Sequence, residues 1–131
     1  KTYWALVKGV PHPHQGKIEA PLVKAAGPEG DRVRKALPGE QEAAMHATTH
    51  SSVIDRAASK PARVQLQPVT GRTHQLRVHM AALGHPILGD ALYADAAVQA
   101  LSPRLLLHAQ LLELAHPLSG ETLRFESAAP F

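Results

Sequence analysis

The sequence predicts an α+β fold, mostly antiparallel, a mixed sheet with few helices. Three observations carry that expectation. Short runs rich in β-branched, aromatic and aliphatic residues recur between breaks rich in Gly and Pro. Two of these runs, 46–55 and 62–67, are joined by the short connection from Ala57 to Pro61, as hairpin strands are. Only one segment, 73–83, shows clear helical spacing of its apolar residues.

The elements follow in order. Thr2 to Lys8 reads as a strand, and Gly9, Pro11, Pro13 and Gly16 break it. A short extended piece runs from Ile18 to Leu22. From Gly27 to Glu42 the chain is Gly, Pro and charge, which predicts a loop or a loose hairpin tip. Residues 46–55 alternate weakly. Residues 62–67 alternate cleanly, with Arg63, Gln65 and Gln67 on one side and Val64 and Leu66 on the other. In the helix, Leu76, Met80 and Leu83 fall at i, i+4 and i+7, and Val78 widens the stripe. Thr73 is placed to cap its start and Gly84 to end it, with Pro86 close behind. Residues 93–101 suggest a second short helix. Leu105 to Leu114 is apolar enough for a buried strand, with His108 as a hydrogen-bonded core histidine. His116 to Gly120 makes a turn, and Thr122 to Phe125 returns as the last strand. Trp4 and Phe125 read as packing residues.

At 131 residues, 44% hydrophobic and 19% charged, the chain suits one globular domain. Aromatics are only 4%, so Leu, Val and Ala must fill the core. A run of 18 or so apolar residues is missing, which argues against a membrane-spanning helix. A charged-then-apolar leader is missing too, which argues against secretion. Without cysteine there is no disulfide, no thiolate metal site and no Cys nucleophile, which fits a reducing, cytoplasmic setting. The first residue is Lys1 and it opens onto a strand, so the chain is expected to be processed or to be a piece of something longer.

Fourteen Lys and Arg against eleven Asp and Glu give a mild +3, but the distribution is uneven. Between Asp55 and Asp90 there is no acid, while Arg56, Lys60, Arg63, Arg72 and Arg77 fall there with His74, His79 and His85. Such a stretch suits a polyanion such as nucleic acid, through counterion release. It also suits a solvated face whose counter-charges lie elsewhere in the fold.

The passage from Gly71 to Met80 is the most distinctive. It follows a strand and opens a helix, where unpaired N–H groups and the positive dipole end make a natural phosphate site. On one helix Arg72 and Arg77 would lie about 140° apart, so both cannot point the same way. Either one reaches solvent or phosphate while the other turns inward, or the passage is only a helix cap with a surface Arg, and the spacing alone does not decide. An Arg held in a cleft calls for a carboxylate or phosphate partner. His74, His79 and His85 are separated by four and then five residues, a poor set for one helical face, and no thiol or paired carboxylate completes a metal site. A G-x-S-x-G elbow is missing as well, which argues against a Ser hydrolase.

Pro68 to Asp90, PVTGRTHQLRVHMAALGHPILGD, resembles the signature of the RluA family of pseudouridine synthases. Four further pieces resemble the family in the same order. They are the opening KTYWALVKG, the G-x-I-x-x-P-L form from Gly16 to Leu22, RLLLHA from Arg104 to Ala109, and the closing HPLSGETLRFESAAP. RLLLHA is most similar to the branch that modifies large-subunit ribosomal RNA and, in some members, transfer RNA. The resemblance spans Lys1 to Phe131, with only the loop around 24–46 outside it.

The resemblance implies an RNA pseudouridine synthase that uses neither cofactor nor metal. The uridine leaves its stack and enters a pocket. The bond from N1 to the sugar breaks, the base turns, and C5 rejoins the sugar. Tyr3 matches the family's tyrosine facing the base, and Arg77 its arginine that pairs with the catalytic carboxylate. Leu107 lies where an apolar residue meets the flipped base, and Arg72 and His74 where RNA backbone is met or the loop supported. The partner implied is RNA.

One departure stands out. The family's aspartate lies in an R-L-D-x-x-T-S-G type motif upstream of the tyrosine strand, and this chain has none. Its aspartates are Asp31, Asp55, Asp90 and Asp95. Asp90 falls where the family places a structural residue, and none of the four substitutes for the nucleophile. Residues 1–131 are therefore expected to be the carboxyl-terminal part of a single catalytic domain, inactive alone. A catalytically silent RNA-binding module on the same scaffold is the competing expectation. A protein–protein module with an incidental basic face is disfavoured by the order of the motifs.

Overall fold

A computed structural model of the chain describes residues 1–27, 30–56 and 61–131. Eight strands are described: β1 (Thr2–Val7), β2 (Gln15–Glu19), β3 (Leu22–Gly27), β4 (Gly30–Lys35), β5 (Thr48–Arg56), β6 (Ala62–Pro68), β7 (Leu107–Ala115) and β8 (Thr122–Glu126). Two helices, α1 (Gln75–Ala82) and α2 (Ala96–Gln99), lie between β6 and β7. Six strands form one antiparallel sheet in the order β2-β5-β6-β1-β7-β8, and β3 and β4 form a second, two-stranded sheet. The α+β class is as the sequence predicts.

Strand alternation decides which face is buried. In β6, Ala62, Val64 and Leu66 are fully buried while Arg63 and Gln65 face the other way. Their partners on β1 are Val7, Ala5 and Tyr3. Leu76 and Met80 of α1 pack onto this face, with Ile18 and Ile87. Val78 points elsewhere, into a second cluster with Leu22 and Val33 of the β3–β4 hairpin. The widened stripe of α1 is thus two contacts, one with each sheet. Leu83, at the end of the predicted stripe, is 45% exposed.

The helix starts two residues later than the sequence suggests. Its N-cap is His74, in the left-handed region at φ 52°, ψ 20°, and Thr73 makes no cap. Its end is as expected. Gly84 takes φ 85°, the His85 N–H reaches the Met80 carbonyl at 3.0 Å, and the Gly84 N–H reaches Ala81 at 3.0 Å. This is a Schellman closure, which needs the left-handed glycine.

Several other boundaries differ. The single extended piece at 18–22 is the end of β2 and the start of β3, separated at Ala20 and Pro21. Of the loop or loose hairpin tip expected at 27–42, the hairpin is what forms: β4 pairs along its length with β3, while residues 28–29 lie outside the described residues. Here residue-to-residue pairing outweighs a composition rich in Gly and charge. The connection predicted at 57–61 lies outside the described residues except for Pro61, while the strands it joins do pair. β7 is half-buried rather than buried, with Leu114 40% exposed. His108 is half-buried and hydrogen-bonded to the Ser127 carbonyl at 2.9 Å, so it is no core histidine. Phe125 is 57% exposed, whereas Trp4 packs under the Arg63 guanidinium at 5.0 Å. Among the described residues no helix is long and apolar enough to cross a membrane.

Candidate active site

The cavity that matters lies where β1, β7 and the entry to α1 meet. It has a volume of about 300 Å³ and is lined by Tyr3, Arg72, His74, Arg77 and Leu107, with Lys1 at its rim. All five site residues expected from the sequence therefore share one wall. Register explains the strand part: Tyr3 pairs with Ala109, and Ala5, two residues on, pairs with Leu107. Tyr3 also packs on the core cluster, so it is both a core-edge residue and a wall residue.

Arg77 is the cavity cation held by a buried carboxylate. Its Nε donates to Asp90 Oδ2 at 3.0 Å and its Nη2 to Asp90 Oδ1 at 2.7 Å. Only 16% of the Arg77 side chain and none of that of Asp90 is exposed. Asp90 Oδ1 also accepts the N–H groups of Leu92 and Tyr93, at 3.0 and 3.1 Å. Burial pushes the Asp90 carboxyl up, but hydrogen bonds from Arg77, Leu92 and Tyr93 and the Arg77 charge outweigh it and leave it below the ordinary Asp range. Asp90 is therefore a charged anchor whose lone pairs are committed. Among the described residues Arg77 Nη1 makes no hydrogen bond, which leaves one guanidinium nitrogen for a ligand of the cavity.

The inward-facing Arg with a carboxylate partner is as the sequence suggests, but the helical angle is not the reason. Arg72 precedes α1, and its Nε is tied to the His46 carbonyl at 2.8 Å. The basic window does not form one face either. Arg63 pairs with Asp55 on the far side of the sheet and Arg77 pairs with Asp90, so the two acids bounding the window neutralise two of its cations. Lys60 lies outside the described residues.

The loop from Thr70 to His74 is fixed by a buried polar chain that sequence reasoning did not foresee. The Thr48 N–H donates to Thr70 Oγ1 at 3.0 Å, and the Thr70 hydroxyl donates to Gln75 Oε1 at 2.7 Å. Gln75 Oε1 accepts the Arg72 N–H at 3.1 Å as well. Gln75 Nε2 donates to the Thr48 carbonyl at 2.9 Å and to Thr49 Oγ1 at 3.0 Å. Thr49 Oγ1 lies 2.8 Å from His79 Nδ1, and His79 Nε2 lies 2.9 Å from the Ala20 carbonyl. A carbonyl only accepts, so Nε2 carries the proton and Nδ1 accepts from Thr49. Burial pushes the fully enclosed His79 below the ordinary His range, which keeps this neutral tautomer. The sole signal for the chain in the sequence is polar residues on the inner face of an apolar helix.

His74 sits in the left-handed region with its ring edge-on to Tyr93 and Nδ1 2.8 Å from the Tyr93 hydroxyl. Burial, and then the Arg77 charge, lower its pKa against the opposing pull of Asp90. His85 is elsewhere, on the Lys8 carbonyl at 2.8 Å, so the three histidines of the window each serve a separate partner.

Comparison with known proteins identifies the family. Residues 1–82 match the sequence model of the family described as RNA pseudouridylate synthase. The chain is 44% identical over all 131 residues to the dual-specificity RNA pseudouridine synthase RluA of Escherichia coli K12, covering 58% of that protein. It is 40% identical over its whole length to the RluA of Haemophilus influenzae, again covering 58%. Among solved structures, human RNA pseudouridylate synthase domain containing 1 superposes with a TM-score of 0.80 at 31% identity, covering all of this chain and 55% of that one. Human RNA pseudouridylate synthase domain containing 4 superposes at 0.73 with 30% identity, covering 99% and 57%. The chain thus spans somewhat more than half the length of the relatives it matches. By sequence and by overall fold, the chain belongs to the RNA pseudouridylate synthase family, among its RluA-type members.

Proposed function

We propose that these residues form the carboxyl-terminal part of the catalytic domain of an RNA pseudouridine synthase. It isomerises uridine to pseudouridine in large-subunit ribosomal RNA and in transfer RNA. The observation that carries this reading is the single cavity shared by Tyr3, Arg77, Arg72, His74 and Leu107. A flipped uracil needs an aromatic face and an apolar back, which Tyr3 and Leu107 supply. Its sugar must meet a carboxylate, and a carboxylate beside RNA phosphates needs a fixed cation to orient it. Arg77, held at two nitrogens by Asp90 with Nη1 to spare, meets that need. Arg72 and His74 at the rim are placed to meet the phosphates.

The nucleophilic aspartate is expected from an upstream R-L-D-x-x-T-S-G motif. The aspartate side chains described here are committed otherwise: Asp55 to Arg63, Asp90 to Arg77, and Asp95 to the N–H of Val98 as the cap of α2. That observation favours a second reading for residues 1–131 taken alone, a catalytically silent RNA-binding module. The name of the bacterial relatives supports a dual RNA substrate, and the absence of cysteine supports a cytoplasmic location.

The test is tritium release from C5-labelled uridine in ribosomal and transfer RNA. Full-length protein carrying the upstream aspartate is expected to release tritium, and residues 1–131 alone are not. A full-length protein with that aspartate that releases none overturns the enzyme reading.

A further inference from the structure

Tyr93 is not among the residues lining the cavity, yet it touches the support of two residues that do. Its hydroxyl accepts the Val33 N–H of the β3–β4 hairpin at 3.1 Å and lies 2.8 Å from His74 Nδ1. Its ring carries the Arg77 guanidinium at 5.2 Å. Its own N–H binds Asp90 Oδ1, the carboxylate that holds Arg77.

His74 gives this arrangement its purpose. A β-carbon in the left-handed region is sterically disfavoured, and His74 makes no side-chain cap that would offset the strain. The Tyr93 hydroxyl supplies the missing bond. With one lone pair on the Val33 N–H, the hydroxyl's own hydrogen is available for His74 Nδ1. When it is given to Nδ1, Nδ1 is the acceptor and the ring carries its proton on Nε2.

We infer that Tyr93 is a positioning residue of the active site. Its hydroxyl fixes the left-handed backbone and the Nε2–H tautomer of His74, and its ring holds Arg77 against the cavity wall. The hydroxyl acts on RNA binding through His74, and the ring acts on turnover through Arg77. The inference rests on the enzyme reading above for its kinetic part and on geometry alone for its tautomer part.

The experiment uses the full-length protein and separates the two roles. Tyr93→Phe keeps the ring, removes the hydroxyl's bonds to His74 and to the Val33 N–H, and is expected to raise KM for RNA about tenfold through the bond lost at His74, with kcat within about twofold. Tyr93→Leu removes the ring as well and is expected to lower kcat in addition. In a His74→Gly background, where glycine takes the left-handed region freely, Tyr93→Phe is expected to have no further effect on KM. Nitrogen-15 shifts of the His74 ring are expected to report an Nε2–H tautomer in the parent and a mixture of tautomers in Tyr93→Phe. A KM effect that persists in the His74→Gly background, or a His74 tautomer unchanged by Tyr93→Phe, overturns the inference. A parent that makes no pseudouridine but shows the tautomer change overturns the enzyme reading and leaves the positioning role standing.

Discussion

The cavity wall and the β7–β8 hairpin hold comparable numbers of charged groups and use them differently. At and behind the wall, Gln75, Asp90, His79 and Thr49 are buried and each side-chain polar atom has a named partner. On the hairpin, Arg124 meets Glu113 at 3.0 Å and Glu126 at 2.6 Å with every partner about half exposed. Leu114, Leu118 and Phe125 stand exposed beside them. The difference teaches that an ion pair organises structure only where water cannot replace it. Inside, breaking the pair strands a charge; outside, solvent and salt take over.

Five expected outcomes test that contrast. The largest concerns activity. Arg77→Ala in the full-length enzyme is expected to abolish turnover nearly completely while RNA binding is largely kept; normal tritium release would refute its role. Next, Asp90→Ala leaves the Arg77 charge without its partner and is expected to cost about 3–5 kcal/mol in urea denaturation. A loss under about 1 kcal/mol would mean the pair does not organise the wall.

Third is pH. His74 and His79 are held below the ordinary His value by burial, so the unfolded chain takes up their protons first. Their contribution is complete above about pH 6.5 and is lost as pH falls through that value toward the lower folded pKa. The melting temperature is expected to drop between pH 7 and pH 5, and His79→Gln to flatten the slope. A melting temperature constant across that range would contradict the buried chain. Asp90 adds to this only at more acidic pH, since its lowered pKa keeps it charged until below the ordinary Asp range.

Fourth, Arg72→Ala is expected to weaken RNA binding and to reduce the salt slope by about one. An unchanged slope would remove Arg72 from the phosphate contacts. Fifth and smallest, Arg124→Ala is expected to leave the urea midpoint unchanged at any salt concentration; a measurable shift would show that the hairpin pairs matter after all.

Much of the fold was legible because period-2 and 3.6 patterns report burial directly. β1, β5, β6, β8 and α1 all fall within a few residues of their predicted places. The misreadings share one cause. Local chemistry alone places Thr73, Leu83 and Phe125, whereas their fate depends on what lies across from them. β4 exists because β3 is opposite it, and Phe125 is exposed because the described residues place nothing over it. The same division runs through the site. Tyr3, Arg72, His74, Arg77 and Leu107 could be named from motif positions. The buried chain through Gln75 and His79 could not, because its partners come from segments up to 59 residues away.

Periodicity along the chain specifies the α+β class, and motif order carries the family resemblance, which in turn names the five candidate residues. Only the tertiary structure decided that the five share one cavity, that Asp90 is the anchor of Arg77, and that Tyr93 joins the hairpin to His74. The physical reason is that hydrogen bonds and ion pairs gain their directing force from burial, and burial is a property of the whole packed chain.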